Sequence, residues 1–317
     1  MTLPSSTSSL KIGWIGAGRM GSQLVGRLLD AGYDVTVYNR TASKAQHLVD
    51  RGAGIVSRPV DLADRDLVFS MVSSSSDLEK VMLGDGGLLT GSASPKIIAD
   101  ASTVSAQVSE TIREAANSRG ADFLATPVSG NPKVIAAGKL TVAVSGPREV
   151  FESIEPVLNV FGRGVTYVGD GEVARLVKIA HNLMLGVVTQ CLAEITVLVE
   201  KGGVSRADFL AFLNDSVMGS AFTQYKSPAF VNLDFSPTFT MALLQKDFDL
   251  GLEAANLLKS PMPIASATRQ IVAQAAGSGR GENEDFATLL LEVARGAGMT
   301  LAPENVTVDD GLAPVNS

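Results

Sequence analysis

KIGWIGAGRMGSQLVGRLLDAGYDVTVYNRTASK, residues 11–44, is the stretch on which the fold turns. A short β-branched run, KIGWI, passes directly into Gly16, Ala17, Gly18, Arg19, Met20 and Gly21. A helical stretch, SQLVGRLLDAG, follows and ends at Gly32, and a second run, DVTVYN, comes next. Glycines at the first, third and sixth places are a weak signal alone, but a strand before and a helix and strand after complete a βαβ unit. In that setting Gly16 allows the tight turn, Gly18 lets the backbone approach a pyrophosphate, and Gly21 lets the helix lie close to the strand. The phosphates then rest on the helix N-terminus, where unpaired N–H groups and the dipole favour anions. The unit points to a dinucleotide.

Where a carboxylate would hold the ribose 2′-hydroxyl of NAD, the chain has Asn39, Arg40 and Thr41, with Lys44 one helical turn further. A 2′-phosphate suits that set better: Arg40 offers a bidentate fork, Thr41 a hydroxyl and Lys44 a point charge. The expectation is NADP, with NAD possible; the alternative is that Arg40 and Lys44 are solvated surface charges.

Working outward, from Lys11 to about Val168 the runs KIGWI, DVTVYN, GIV, DLVFSMV, KIIADAS, ADFLA, LTVAVSG and VTYVG read as strands, with helices between most of them. That alternation predicts an α/β half, a parallel sheet covered by helices on both faces. The shorter spacer before LTVAVSG allows an antiparallel or mixed edge. The Gly-rich LGDGG at residues 83–87 has no Lys-Ser or Lys-Thr after it and reads as a surface turn. Beyond Gly171 the strand signal stops. Residues 172–201 form one helix, apolar on nearly every face, which must be buried against its own chain or a partner subunit. Further helices are expected over 205–214, with Ser205 as N-cap, and over 241–259, 264–276 and 285–297. The organisation expected is a disordered arm (1–10), a nucleotide-binding domain (11–170), an all-α substrate and dimerisation domain (171–301) and a mobile tail (302–317).

Composition narrows the function. The 317 residues are 45% apolar and 19% charged, so an ordinary core can hold the chain without staples. The single Cys191 excludes a disulfide scaffold and points to a reducing, cytoplasmic compartment. With two His, His47 and His181, and one Cys, the usual ligands of a structural zinc site are missing, and no metal is expected. A net charge of −7 argues against a nucleic-acid surface. The Ser-rich start has neither a basic nor an apolar region of a secretory signal. The apolar run 176–199 carries Lys178, His181, Asn182, Gln190 and Glu194, each costly in lipid, so no membrane span is expected.

Three of those polar residues stand at i, i+3 and i+4: Lys178, His181 and Asn182, on one face of the long helix. Burying them without partners would cost several kcal/mol, so something must hold them there. An ammonium and an amide at this spacing suit the oxygen of a carbonyl that receives hydride. Alternatively, Lys178 caps the seam between the two halves, and His181 is a packed residue.

Taken together, Gly16 to Gly21, the segment DASTVS at 100–105, PVSG at 127–130, Lys178 with Asn182, and LQKD at 244–247 resemble the β-hydroxyacid dehydrogenase family. Its members include 3-hydroxyisobutyrate dehydrogenase, tartronate semialdehyde reductase, and the glyoxylate and succinic semialdehyde reductases. The resemblance covers about residues 11–301, with the motifs in order. It implies a Rossmann-type doubly wound sheet followed by an all-α domain joined through a long interdomain helix. It implies catalysis by Lys178 and Asn182, and a substrate-carboxylate loop at Ser129, Gly130 and Asn131. Ser102 and Thr103 fall beside nicotinamide and substrate. Lys246, with Asp247, falls on the pair that closes over the cofactor from the helical domain.

The chain also departs from the family. Ala125 and Thr126 stand where Asp-Ala is usual, and Asn131 replaces the last Gly of the substrate loop. Val72 and Ser73, on the cofactor side, replace the usual Leu-Pro, and His181 replaces a second Asn. The resulting expectation is an NAD(P)-dependent oxidoreductase, NADP preferred, of a small β-hydroxy acid or its semialdehyde, working as a homodimer or a dimer of dimers. Competing readings are an imine reductase of the same architecture and a dehydrogenase-like nucleotide-binding module without catalysis.

Overall fold

A computed structural model describes residues 10–279 and 283–312. The expected arm therefore lies outside the described residues except for its last residue, the buried Leu10. The chain forms two compact units, 1–178 and 179–317, divided within the long helix.

In the first unit, β1 (Lys11–Ile15), β2 (Asp34–Tyr38), β3 (Gly54–Val56), β4 (Leu67–Ser70), β5 (Ile97–Asp100) and β6 (Asp122–Ala125) are parallel, in the order β3-β2-β1-β4-β5-β6. This is the doubly wound Rossmann order. The helices α1 (Arg19–Asp30), α2 (Gln46–Val49), α3 (Ser75–Leu83) and α4 (Ala106–Ser118) make crossovers. The chain then turns back. After β7 (Val128–Ser129) and α5 (Pro132–Ala136), β8 (Leu140–Ser145) pairs antiparallel to β6 and to β7. Past α6 (Arg148–Leu158), β9 (Gly162–Gly169) runs parallel to β8. The mixed edge is as expected; the two-residue β7 is too short to show as a pattern in the sequence.

Alternation along the strands builds two cores. Ile12, Trp14, Leu67, Phe69, Ile97 and Ala99 belong to one cluster, and Ile15, Val68 and Ile98 to the other. Trp14 stacks on Phe69 and both meet Phe161 edge to face, with ring centroids 5.3–6.0 Å apart. The register places Ile15 against Tyr38 and Ser70, Ser70 against Asp100, and Asp100 against Ala125. These parallel strands end level, and the loops after them emerge along one edge of the sheet.

The helix α7 (Val173–Lys201) leads into the second unit. It is long and apolar enough to cross a membrane by length and composition, and half of its most apolar window is buried within the protein. Around it lie α8 (Arg206–Asp215), α9 (Ala221–Asn232), α10 (Met241–Leu257), α11 (Pro263–Gly277) and α12 (Leu289–Gly296). Ser205 caps α8, as expected, accepting from the Asp208 N–H at 3.0 Å. The sequence did not announce α9: Pro228 interrupts it, and aromatic side chains fill it without a single apolar stripe. The segment expected as a tail is docked as far as the described residues go. The Glu304 carboxylate accepts the N–H groups of Arg206 and Ala207 at 2.7 and 3.0 Å, and the buried Arg206 donates to the Ala302 carbonyl. Asn232 donates to the Val306 carbonyl at 2.8 Å. These links tie residues 302–306 to α8 and α9; residues 313–317 lie outside the described residues.

Candidate functional site

The loop after β1 has the geometry its glycines predict. Gly16 has φ +96°, and a Cβ there would overlap the Met71 carbonyl; one at Gly21 would overlap the Gly16 carbonyl. At Gly18 a Cβ would meet nothing within 4 Å. Backbone thus closes the turn on two sides and leaves the third glycine open, the cradle that a pyrophosphate needs against the start of α1. Ala17 is buried beneath it, while Arg19 and Met20 open the helix.

At the end of β2, the Asn39 side chain accepts the Ala17 N–H at 3.0 Å and donates to the Thr41 carbonyl at 2.7 Å. Asn39 therefore braces the glycine loop against the Arg40–Thr41 turn; its amide serves the protein's own backbone. Arg40 projects, 79% exposed, and pairs with Asp77 of α3 at 3.2 Å. Thr41 and Lys44 are exposed beside it. The partner Asp77 went unnoticed in the sequence because it lies 37 residues away.

A buried hydroxyl joins the loops after β4 and β5. Ser102 donates to Asp100 Oδ1 at 2.7 Å and accepts the Val72 N–H at 2.9 Å, and it is buried. Its proton and one lone pair serve the fold itself; its neighbour Thr103 is half-buried. Ser73 is exposed on the adjoining loop.

Ser129, the last residue of β7, is half-buried, and Gly130 after it is exposed with φ +145°. Asn131 caps α5 through its side-chain oxygen, which accepts the Val134 N–H at 3.0 Å. Its Nδ2 is buried without a hydrogen-bond partner, as is the Thr126 hydroxyl earlier on the same loop. Both stand where the family resemblance expects side chains without polar atoms.

Lys178 is half-buried on α7, the last residue of the first unit. One turn on, within the second unit, Asn182 is buried and donates through Nδ2 to Asp247 Oδ2 of α10 at 2.5 Å. Asp247 thereby sets the amide's orientation and turns Asn182 Oδ1 toward His181 Nδ1, 2.9 Å away. A carboxamide oxygen only accepts, so His181 carries its proton on Nδ1. Lys246 lies 3.3 Å from Asp247 Oδ1. Among the described residues no group of three His, Cys, Asp or Glu side chains could hold a metal ion.

Comparison with known proteins agrees with this geometry. Residues 11–169 match the NAD-binding domain of 6-phosphogluconate dehydrogenase. Residues 169–292 match the NAD-binding domain of NADP-dependent 3-hydroxyisobutyrate dehydrogenase. The chain spans about half the length of the first curated relatives it matches: the human cytokine-like nuclear factor N-PAC is 30% identical over 276 residues, 86% of this chain and 50% of that protein. The 2-(hydroxymethyl)glutarate dehydrogenase of Eubacterium barkeri is 33% identical over 284 residues, 89% of this chain and 94% of that enzyme. A solved structure of Psf3 with NADP+ and 2-OPP superposes with a TM-score of 0.80 at 26% identity, over 89% of this chain and 99% of that one. With the cradle, the strand order and both domain matches in agreement, the chain is an NAD(P)-binding member of the β-hydroxyacid dehydrogenase family.

Proposed function

We propose that this chain transfers hydride between NADPH and a small β-hydroxy acid or the matching semialdehyde, with Lys178 exchanging the proton on the substrate oxygen. The observation that carries this is the cradle at Gly16–Gly21, open only at Gly18, in the same unit as Lys178. When bound, the nicotinamide supplies or accepts hydride at C4. The remaining work belongs to the chain. The backbone of Ala17 to Gly21 would hold the pyrophosphate, and Arg40, Thr41 and Lys44 the 2′-phosphate. Ser129 and the N–H groups at Gly130 and Asn131 would take the acid end of the substrate, and Asn131 Nδ2 adds a donor that a glycine there could not offer. The Lys178 ammonium gives its proton to the forming alkoxide in reduction and takes it back in oxidation. Asn182, whose amide Asp247 fixes, and Lys246 stand where the family resemblance expects an orienting amide and a cofactor-side lysine.

The same proposal includes a homodimer in a reducing compartment. It is supported by apolar side chains that α7 leaves uncovered in the chain, Met184 (69% exposed), Leu198 (65%) and Ile195 (41%). A second copy burying them would satisfy the all-round apolar character of the helix, and symmetric dimers are the commonest oligomers. Sedimentation at micromolar concentration tests it: a species of 33 kDa alone would contradict it.

The deciding experiment for the activity is NADPH oxidation against a panel of semialdehydes, keto acids and cyclic imines. Turnover of semialdehydes or keto acids supports the proposal. Turnover of cyclic imines alone makes the protein an imine reductase, and tight NADPH binding without any turnover makes it a nucleotide-binding module.

A further inference from the structure

Beneath the loops after β4 and β5 lies a charge pair that the proposed chemistry does not use. Arg175, on the first turn of α7, is 1% exposed, and Asp100, at the end of β5, is fully buried. Arg175 Nη2 lies 2.6 Å from Asp100 Oδ2; Nη1 donates to the Ser102 carbonyl at 2.6 Å and to the Asp100 carbonyl at 3.3 Å; Nε donates to Ser109 Oγ of α4 at 3.1 Å. Asp100 Oδ1 accepts the hydroxyls of Ser70 and Ser102 at 2.6 and 2.7 Å. A second anchor flanks the first, as Arg113 donates to the Glu172 carboxylate at 2.7 Å and to the Gly171 carbonyl at 2.8 Å. All of these residues belong to the first unit.

Buried ion pairs of this kind add little net stability over well-packed apolar residues of the same size. What a guanidinium does add is direction: its N–H groups lie in one plane and in a fixed fork, so each acceptor it binds constrains its orientation. Here the fork reaches α4, the end of β5 and the loop that carries Ser102, while its stem stands on α7. Lys178 follows three residues later on the same unbroken helix, about 4.5 Å along the axis. Whatever fixes the rotation and depth of the turn at 175 fixes the turn at 178.

We propose that Arg175 is the positioning residue of the site: through Asp100 and Ser102 it holds the loops after β4 and β5, and through the first turn of α7 it sets where the Lys178 ammonium stands. The proposal rests on Lys178 being the proton donor described above. A lysine in place of Arg175 keeps the charge opposite Asp100 but loses the planar fork, so it separates orientation from charge.

In Arg175→Lys, kcat for the best carbonyl substrate is expected to fall at least tenfold, while the dissociation constant for NADPH stays within about twofold. The isotope effect with 4-deuterated NADPH is expected to rise as the chemical step becomes limiting. Should this variant not fold, Ser109→Ala removes one bond of the fork from α4, with an expected two- to fivefold loss in kcat at unchanged NADPH affinity. Native kcat in whichever variant folds overturns the proposal. If the native chain turns over no carbonyl compound, the reading of Lys178 as proton donor fails instead. The positioning role is then read from the ligand-free protein, by the labelling rate of Lys178 with an amine-reactive reagent, mapped by peptide mass. A change of threefold or more between native and variant supports positioning, and an unchanged rate refutes it.

Discussion

A lysine's chemistry depends on where its helix holds it. Lys178 is half-buried on α7, with an amide fixed by a carboxylate one turn on. Lys178→Ala should fold and bind NADPH yet lose at least about a hundredfold in kcat, since general acid catalysis typically supplies 10² to 10⁴. Single-turnover reduction of a semialdehyde measures it, and a near-native rate would place the proton donor elsewhere. At the other end of the cofactor site, Arg40 is shared between Asp77 and solvent. Arg40→Ala should weaken NADPH binding about ten- to a hundredfold, the loss of one charged contact, and leave NADH unchanged. Asp77→Asn should act the other way, tightening NADPH by up to about fivefold, because an exposed ion pair competing for Arg40 is worth at most about 1 kcal/mol. Titration of both variants with both cofactors checks the pair; equal efficiency of NADH and NADPH in the native chain would remove the argument for a 2′-phosphate site.

Among the elements, α7 and α10 approach closely because two glycines let them. A Cβ at Gly186 would overlap the Phe248 ring and stand 3.0 Å from Leu244, and one at Gly251 would meet the Leu183 side chain at 2.6–2.8 Å. The same contact carries Asp247 to Asn182. Gly186→Ala is therefore expected to cost about 1–3 kcal/mol, the usual cost of overpacking, and to lower kcat because α10 moves Asp247 away from the amide it orients. Urea unfolding and turnover, measured together, test this; a variant with native midpoint and native kcat would show that the helices have slack. The buried Lys226–Asp285 pair at 2.5 Å, with Thr238 at 2.9 Å from the ammonium, ties α9 to the segment before α12 in the same unit. Burial among these groups, together with the charge of Asp285, pushes the Tyr225 hydroxyl well above its ordinary range.

For the molecule as a whole, pH acts on folding through carboxylates held by cations. Burial raises the Asp66 carboxyl, but the Lys96 ammonium at 2.8 Å and the Lys11 N–H at 3.0 Å outweigh it and hold the group below its ordinary value. A carboxyl depressed in the folded state contributes stability above its unfolded pKa and loses it as the pH falls through the folded one. Asp66→Asn should therefore be less stable than the native protein by a constant amount above about pH 5, and the gap should close below about pH 4, near the ordinary Asp value. Denaturant midpoints from pH 7 to pH 3 measure it, and a gap that does not depend on pH would assign the difference to packing. Asp66 stands at the amino end of β4 and reaches the amino ends of the strands on either side, β1 and β5.

The sequence by itself determined the α/β half followed by helices, the cradle of Gly16, Gly18 and Gly21, and the helical face carrying Lys178 and Asn182. Each is a local pattern: strand alternation, a turn that only glycine fits, a spacing of four along one helix. Only the tertiary structure decided that Ser102 is a brace and Thr103 the more accessible neighbour, that Arg40 has Asp77 beside it, and that Asp247 orients Asn182. It also decided that Arg175 closes on Asp100, and that the segment after Pro303 is bound to α8 and α9. Those partners lie between 2 and about 100 residues apart in the chain, and what brings them together is the level ending of parallel strands and the close crossing of helices. No periodicity along the sequence records either.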